Sequence, residues 1–431
     1  MVHARVCVVG LWHLGCVYAT CLAQLGHHVV ATDENIKTVR ELARGRPPIF
    51  EPGLADAIAG ALSHGNLSFV ENIEEAVKDA DFVVVAYDTP VDTQDKADLS
   101  IVLRAAEHLR DVAHHATIVI SSQVPVGTSE QIASMLSDGG SAPKVAYVPE
   151  NLRLGQAIER FMKPDMIVIG ANSPSAMAKV RMLFSPIKTK IIEMDLRSAE
   201  LTKHALNAFL AASISFANEI GNICDLVGAD GLKVAEALRS DSRIGPRALL
   251  RPGLGFAGGT LARDLRILQE TGRRHAYETP FIDAVVEVNN RQNASIVYRL
   301  KRLIGELDGK HIGVLGLTYK AGTSTLRRSA ALEIIGSLRQ EGASVRAFDP
   351  RVSKTDLSAE KFLLCDDPYA ASENADALVI LNDWSDFLKL DFKRIRNLMK
   401  EPVVFDTQNL LDPDMMRECG VRYIGIGRGH L

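Results

Sequence analysis

The chain has 431 residues, of which 47% are hydrophobic and 24% charged, and its formal net charge is -4. It is too long for one ordinary core, so two or three domains are expected, and its composition is that of a folded globular protein. The acidic balance argues against a nucleic-acid partner, and no apolar run reaches the roughly 18 residues of a membrane span, which argues against a membrane partner.

Arg5 is followed by the short apolar run Val6-Cys7-Val8-Val9 and then Gly10, which reads as a first strand rather than a signal peptide. Strands are predicted at 5–9, 28–32, 82–86, 117–121, 144–148 and 166–169, with amphipathic helical stretches between them. That alternation predicts βα units and a parallel sheet. A helix pattern free of proline runs from about Ser198 to Val227, and more helix follows to about residue 305. The alternation then resumes, with a strand and turn at 311–317, a helix from Ala330 to Gln340, a stop at Gly342, and a strand from Ser344 to Phe348 ending at Asp349. This repeats the opening of the chain, where a strand, a helix, Gly26 and a second strand lead to Asp33. The predicted fold is therefore α/β, with two Rossmann-like parallel-sheet domains joined by a helical middle domain that contains a long central helix. The boundaries fall at 1–195, 196–305 and 306–431.

The six cysteines, at positions 7, 16, 21, 224, 365 and 419, form no C-x-x-C pair, so no metal site is expected. Scattered thiols without a secretory leader point to a reducing cytoplasm.

The first strand leads into Gly10-Leu11-Trp12-His13-Leu14-Gly15, and the second ends at Asp33. A dinucleotide fingerprint needs a glycine for the tight turn, one for close approach to the pyrophosphate, one for helix–strand packing, and an acid for the ribose hydroxyls. Gly10, Gly15 and Asp33 fill three of these positions, and Asp33, placed to accept the ribose hydroxyls, favours NAD over NADP, while Trp12 stands in the middle one. The helix N-terminus still offers N–H groups to an anion.

Further segments follow in order: Pro48 to Leu54, Asp88-Thr89-Pro90, Ser122 to Thr128, Pro149-Glu150-Asn151-Leu152-Arg153, Ala199 to Ala211, Arg243-Ile244-Gly245, Gly253 to Asp264, Tyr319-Lys320 and Thr323 to Ser329. In this order and spacing the chain resembles the UDP-glucose/GDP-mannose dehydrogenase family over about residues 4 to 425. The resemblance implies a homodimer that oxidises the C6 alcohol of a nucleotide-linked hexose with NAD, in polysaccharide or sugar-nucleotide biosynthesis. In that family a cysteine holds the sugar as a thiohemiacetal, then as a thioester that water hydrolyses.

By the same resemblance, Gly10, Leu11, Trp12, Leu14, Gly15, Asp33, Thr89 and Gln123 fall on the cofactor side. Glu150, Leu152, Lys203, Asn207, Arg243, Gly255, Gly258, Lys320 and Arg327 fall on the substrate side, with a UDP-hexose favoured. Lys203 and Asn207, four apart on one helix and so on one face, match the pair that stabilises a developing oxyanion. Asp264 matches an aspartate close to the attacking group. Arg243 matches an arginine that reaches a neighbouring subunit's substrate, and guanidinium groups such as that of Arg327 suit phosphate oxygens.

The departures cluster at the chemistry. Thr260 occupies the cysteine's place, and an alcohol is a far weaker nucleophile than a thiolate. Gln123 replaces a threonine, Leu154 a glutamate, Arg263 a lysine and Asp88 a glycine. Three readings follow: an NAD-dependent dehydrogenase limited to a two-electron oxidation, full oxidation to the uronic acid by way of an aldehyde hydrate, or a non-catalytic nucleotide-sugar-binding partner subunit.

Overall fold

The computed structural model describes residues 3–90, 97–137, 142–257, 259–357 and 362–429. The chain divides into two compact units, Met1–Leu206 and Asn207–Leu431.

The first unit is built on an eight-stranded sheet. Its strands are β1 (Arg5–Val9), β2 (His28–Thr32), β3 (Leu67–Phe69), β4 (Phe82–Val85), β5 (Thr117–Ile120), β6 (Val145–Tyr147), β7 (Met166–Ala171) and β8 (Lys190–Met194). They lie in the order β3-β2-β1-β4-β5-β6-β7-β8. All neighbours are parallel except β6 and β7. Alternate residues of β1 explain its unbroken apolar run. Val6 and Val8 join one core with the helix His13–Gln24, while Cys7 and Val9 join another with the helix Ser100–Val112. A parallel sheet covered on both faces requires such a sequence.

The predicted strands are all present, and β3 and β8 are additions. β3 is three residues long with an exposed centre, and β8 is exposed or half-buried throughout, so neither carries an apolar run.

The second unit carries a six-stranded, all-parallel sheet. Its strands are β9 (His311–Leu315), β10 (Ser344–Phe348), β11 (Leu363–Leu364), β12 (Ala377–Ile380), β13 (Val403–Asp406) and β14 (Arg422–Gly425). The order β11-β10-β9-β12-β13-β14 reproduces that of the first six strands of the other sheet, as the repeated sequence pattern predicts. The helix Ala330–Gln340 lies where the sequence places it, started by the Ser329 hydroxyl, which accepts the Ala331 N–H.

The helix Leu196–Val227 is 32 residues long and contains the division between the units. Within the second unit, Ala211, Leu265 and Val285 form a small core that joins its later part to the helices Gly259–Arg274 and Pro280–Ile304.

Candidate active site

In the first unit the turn after β1 is set by two glycines. Gly10 has φ +96°, and a Cβ there would lie 2.8 Å from Tyr87. A Cβ on Gly15 would fall 1.6 Å from the Gly10 carbonyl oxygen, so only glycine lets this helix start so close to the strand. Asp33, at the end of β2, accepts the Leu11 N–H at 2.6 Å and the Asn35 N–H at 2.8 Å, yet keeps part of its surface open. The helix His13–Gln24 begins without a side-chain cap, which leaves its N-terminal dipole for an anion. Trp12 is 49% exposed, so the indole is not buried in the turn, whereas Leu14 is buried. Thr89 donates its hydroxyl to the Gln123 carbonyl at 2.9 Å, bringing together two residues that the sequence reading assigned to one side.

The second sheet repeats this turn with a different outcome. Gly316 has φ +94°, and Asp349 Oδ2 accepts from Leu317 N at 2.7 Å and Thr318 N at 3.0 Å. That oxygen also takes the Thr318 hydroxyl at 3.2 Å and the Trp384 indole N–H at 3.1 Å, and the side chain is buried. Asp349 is thus consumed by its own domain, while Asp33 stays half-exposed. The donors and acceptors of the first turn fit a dinucleotide; those of the second do not.

Still in the first unit, Lys203 is buried and pairs with Glu150, its Nζ lying 3.2 Å from Oε1 and also bonded to the Glu150 carbonyl. Glu150 accepts the Leu152 N–H at 2.8 Å, which fixes the carboxylate over its own loop. Leu154 is half-buried and Asp88 exposed. The neighbouring Glu51 is buried and accepts from Gly155 N at 2.9 Å and Ala157 N at 2.8 Å, with His13 Nε2 at 2.9 Å. Burial acts to raise the Glu51 pKa, but His13 and these two N–H groups outweigh it and hold the carboxyl below its usual range. Glu200 binds the N–H groups of Gly127 and Ser129 at 2.6 and 2.7 Å, at the start of the helix Thr128–Met135. Here burial wins and the carboxyl is pushed up.

In the second unit, Asn207 Nδ2 donates to Asp264 Oδ2, and both side chains are buried. Thr260 and Asp264 are four apart on the helix Gly259–Arg274, hence on one face, with Thr260 half-buried in the first turn. Arg263 is half-buried on that helix. Gly258 lies outside the described residues. Lys320 and Arg327 are exposed on the segment after β9. Arg243 is highly exposed, pairs with Asp241 at 2.6 Å, and borders an apolar groove of about 810 Å³ walled by Phe209, Phe216, Ile244 and Phe281.

Cys7, Cys16 and Cys21 lie inside the first unit, where burial pushes each thiol up, Cys21 to about 12. Cys224 and Cys365 are also raised, first by burial. Cys419 caps the C-terminal end of the helix Pro413–Glu418.

The sequence reading missed four amides that bond the backbone of 253–256: Asn218, Asn289, Gln292 and Asn293. The signal was present in the last three, which recur at helical spacing along one face of a single helix.

A mostly parallel sheet with an open acid-bearing glycine turn, and a second sheet of the same strand order later in the chain, are features of a dinucleotide-dependent dehydrogenase. Residues 4–188 match the NAD-binding domain of the UDP-glucose/GDP-mannose dehydrogenase family, residues 197–291 its central domain, and residues 313–413 its UDP-binding domain. The UDP-glucose 6-dehydrogenase TuaD of Bacillus subtilis is 38% identical, with 98% of this chain and 93% of that one covered. The UDP-glucose 6-dehydrogenase of Pseudomonas aeruginosa is 36% identical, with 98% and 97% covered. The solved UDP-glucose dehydrogenase of Pyrobaculum islandicum superposes with a TM-score of 0.91 at 34% identity, covering 100% of this chain and 98% of that one. The chain belongs to the UDP-glucose/GDP-mannose dehydrogenase family and is an NAD-dependent nucleotide-sugar dehydrogenase.

Proposed function

We propose that this dehydrogenase takes a UDP-hexose and stops after one two-electron oxidation, leaving a carbonyl rather than a uronic acid. The observation that carries this reading is Thr260 at the cysteine's position, with Asp264, four residues further along the same helix, still buried and bonded to the buried Asn207.

Gly10, Leu11, Trp12, Leu14, Gly15, Asp33, Thr89 and Gln123 would hold the cofactor, with Asp33 on the ribose and the N-terminus of the helix His13–Gln24 on the pyrophosphate. NAD, when bound, supplies the hydride acceptor. The sugar hydroxyl loses its proton as the hydride leaves. The Glu150 carboxylate, whose side chain is partly exposed, accepts that proton and releases it to solvent, while its partner Lys203 Nζ stabilises the sugar oxygen. Asn207, one turn further along the helix, is assigned to the same oxygen, with Asp264 fixing the orientation of its amide. By the family resemblance Glu150, Leu152, Gly255 and Gly258 are assigned to the sugar, and Lys320 and Arg327 to the diphosphate.

A second oxidation would need a nucleophile to convert the aldehyde into a species that can lose another hydride. A thiolate does this near neutral pH. The Thr260 hydroxyl does not, and Leu154 removes a carboxylate that could activate water.

The same reading divides the chain into a cofactor domain (1–195), a helical dimerisation domain (196–305) and a sugar-nucleotide domain (306–431). It places the enzyme in the cytoplasm, in sugar-nucleotide or polysaccharide biosynthesis. Among the described residues no helix is long and apolar enough to cross a membrane. A homodimer formed over the groove beside Arg243 would cover Phe209 and Phe281, which are 73% and 69% exposed in one chain.

The test is mass spectrometry of UDP-glucose and related UDP-hexoses incubated with enzyme, NAD and hydroxylamine. An oxime of the oxidised sugar nucleotide supports the reading, and a nucleotide uronate overturns it.

A further inference from the structure

Residues 252–256, which lead toward the helix bearing Thr260, form neither strand nor helix. Most of their backbone groups are nevertheless bonded, and among the described residues the partners are side-chain carboxamides. Asn409 Nδ2 donates to the Pro252 carbonyl at 3.1 Å. Asn218 accepts the Gly253 N–H at 2.8 Å and donates to the Leu254 carbonyl at 3.1 Å. Gln292 donates to the Gly253 carbonyl at 2.6 Å. Asn293 accepts the Gly255 N–H at 2.9 Å. Asn289 grips Phe256 from both sides, accepting its N–H at 2.7 Å and donating to its carbonyl at 3.1 Å.

A carboxamide offers both a donor and an acceptor, so it can replace a neighbouring strand. It does not ionise, so this bonding is the same at any pH at which the protein is folded. The fit is close. A Cβ on Gly255 would lie 2.6 Å from Asn289 Oδ1 and 2.9 Å from Asn293 Oδ1.

We propose that Asn218, Asn289, Gln292, Asn293 and Asn409 are positioning residues that hold 252–256 in its working conformation before any ligand arrives. The strap is preformed, and sugar-nucleotide binding does not have to fold it. Its part in turnover rests on the oxidoreductase reading above, whereas its rigidity does not.

Hydrogen–deuterium exchange on the full chain without ligand tests the rigidity. A peptide spanning 252–257 exchanges slowly in the parent protein, and Asn293→Ala speeds that peptide at least about tenfold while peptides from both sheets are unchanged. Asn293→Asp keeps an acceptor for the Gly255 N–H and restores slow exchange. In turnover, Asn293→Ala lowers kcat by about ten- to a hundredfold with little change in KM, because the loop still binds but is misplaced, and Asn293→Asp recovers most of the rate. Fast exchange of 252–257 in the parent protein would overturn the proposal. So would an Asn293→Ala protein with a loosened loop and an unchanged kcat. A parent protein that forms no NADH with any sugar nucleotide contradicts the oxidoreductase reading instead, and the exchange result then decides the strap alone.

Discussion

Asn207 donates its side-chain amide to the carboxylate of Asp264, and both residues are buried. A hydrogen bond to a charged acceptor contributes about 1.5–3 kcal/mol, and an unpaired donor in the same place would be costly. Asp264→Ala is therefore expected to lower stability by about 1.5–3 kcal/mol and to abolish most NADH formation. In a double-mutant cycle with Asn207→Ala, denaturant unfolding should give a coupling of about 0.5–3 kcal/mol. Additive losses would show that the bond contributes nothing.

Lys203 pairs with Glu150 at 3.2 Å inside the first unit. Lys203→Met keeps the length of the side chain and removes its charge. Turnover should fall by about a hundred- to a thousandfold, the usual loss when one donor to a developing oxyanion is removed. Initial rates of NADH formation at saturating NAD check this, and a rate within a few-fold of the parent's would remove Lys203 from the chemistry.

Thr260→Cys alone is expected not to yield a uronic acid. The new thiol would stand in the first turn of its helix, but on the function proposed above Gln123 and Leu154 depart from the family as well, and Leu154 would supply no carboxylate for hydrolysis. Product mass spectrometry decides. Uronate from this single change would show the other departures to be harmless.

Glu51 gives a pH signature. His13, Ala157 and Gly155 hold its carboxyl below the usual range against the effect of burial. Its stabilising contribution is therefore complete above the ordinary carboxylate value of about 4.3 and is lost as the pH falls through the lower folded value. Melting temperatures measured from pH 7 down to pH 3 should fall in the acid limb. Glu51→Gln should flatten that limb and cost about 1–3 kcal/mol at neutral pH.

Much of this was legible in the sequence because the parallel sheets are buried on both faces. Runs such as Val6 to Val9 and Phe82 to Val85 have no other use. Gly10 and Asp33 were readable because a left-handed turn and an open carboxylate each demand a particular residue type. The edge strands β3 and β8 were not, because half-exposed strands have no apolar period. Nor was the fate of Asp349. Its sequence context matches that of Asp33, and only the fold brings Trp384 and Thr318 onto the same oxygen. The amide strap left a trace, since Asn289, Gln292 and Asn293 share one helix face, but that spacing alone also fits a solvated face, and only the fold brings 253–256 against it.

If oxidation stops at the carbonyl, one hydride, not two, leaves each sugar. The direct measurement is the yield of NADH when a limiting, known amount of UDP-hexose is run to completion with excess NAD. One equivalent per sugar is the predicted result. Two equivalents would mean that the aldehyde is oxidised onward without the cysteine, and the account built on Thr260 would be wrong.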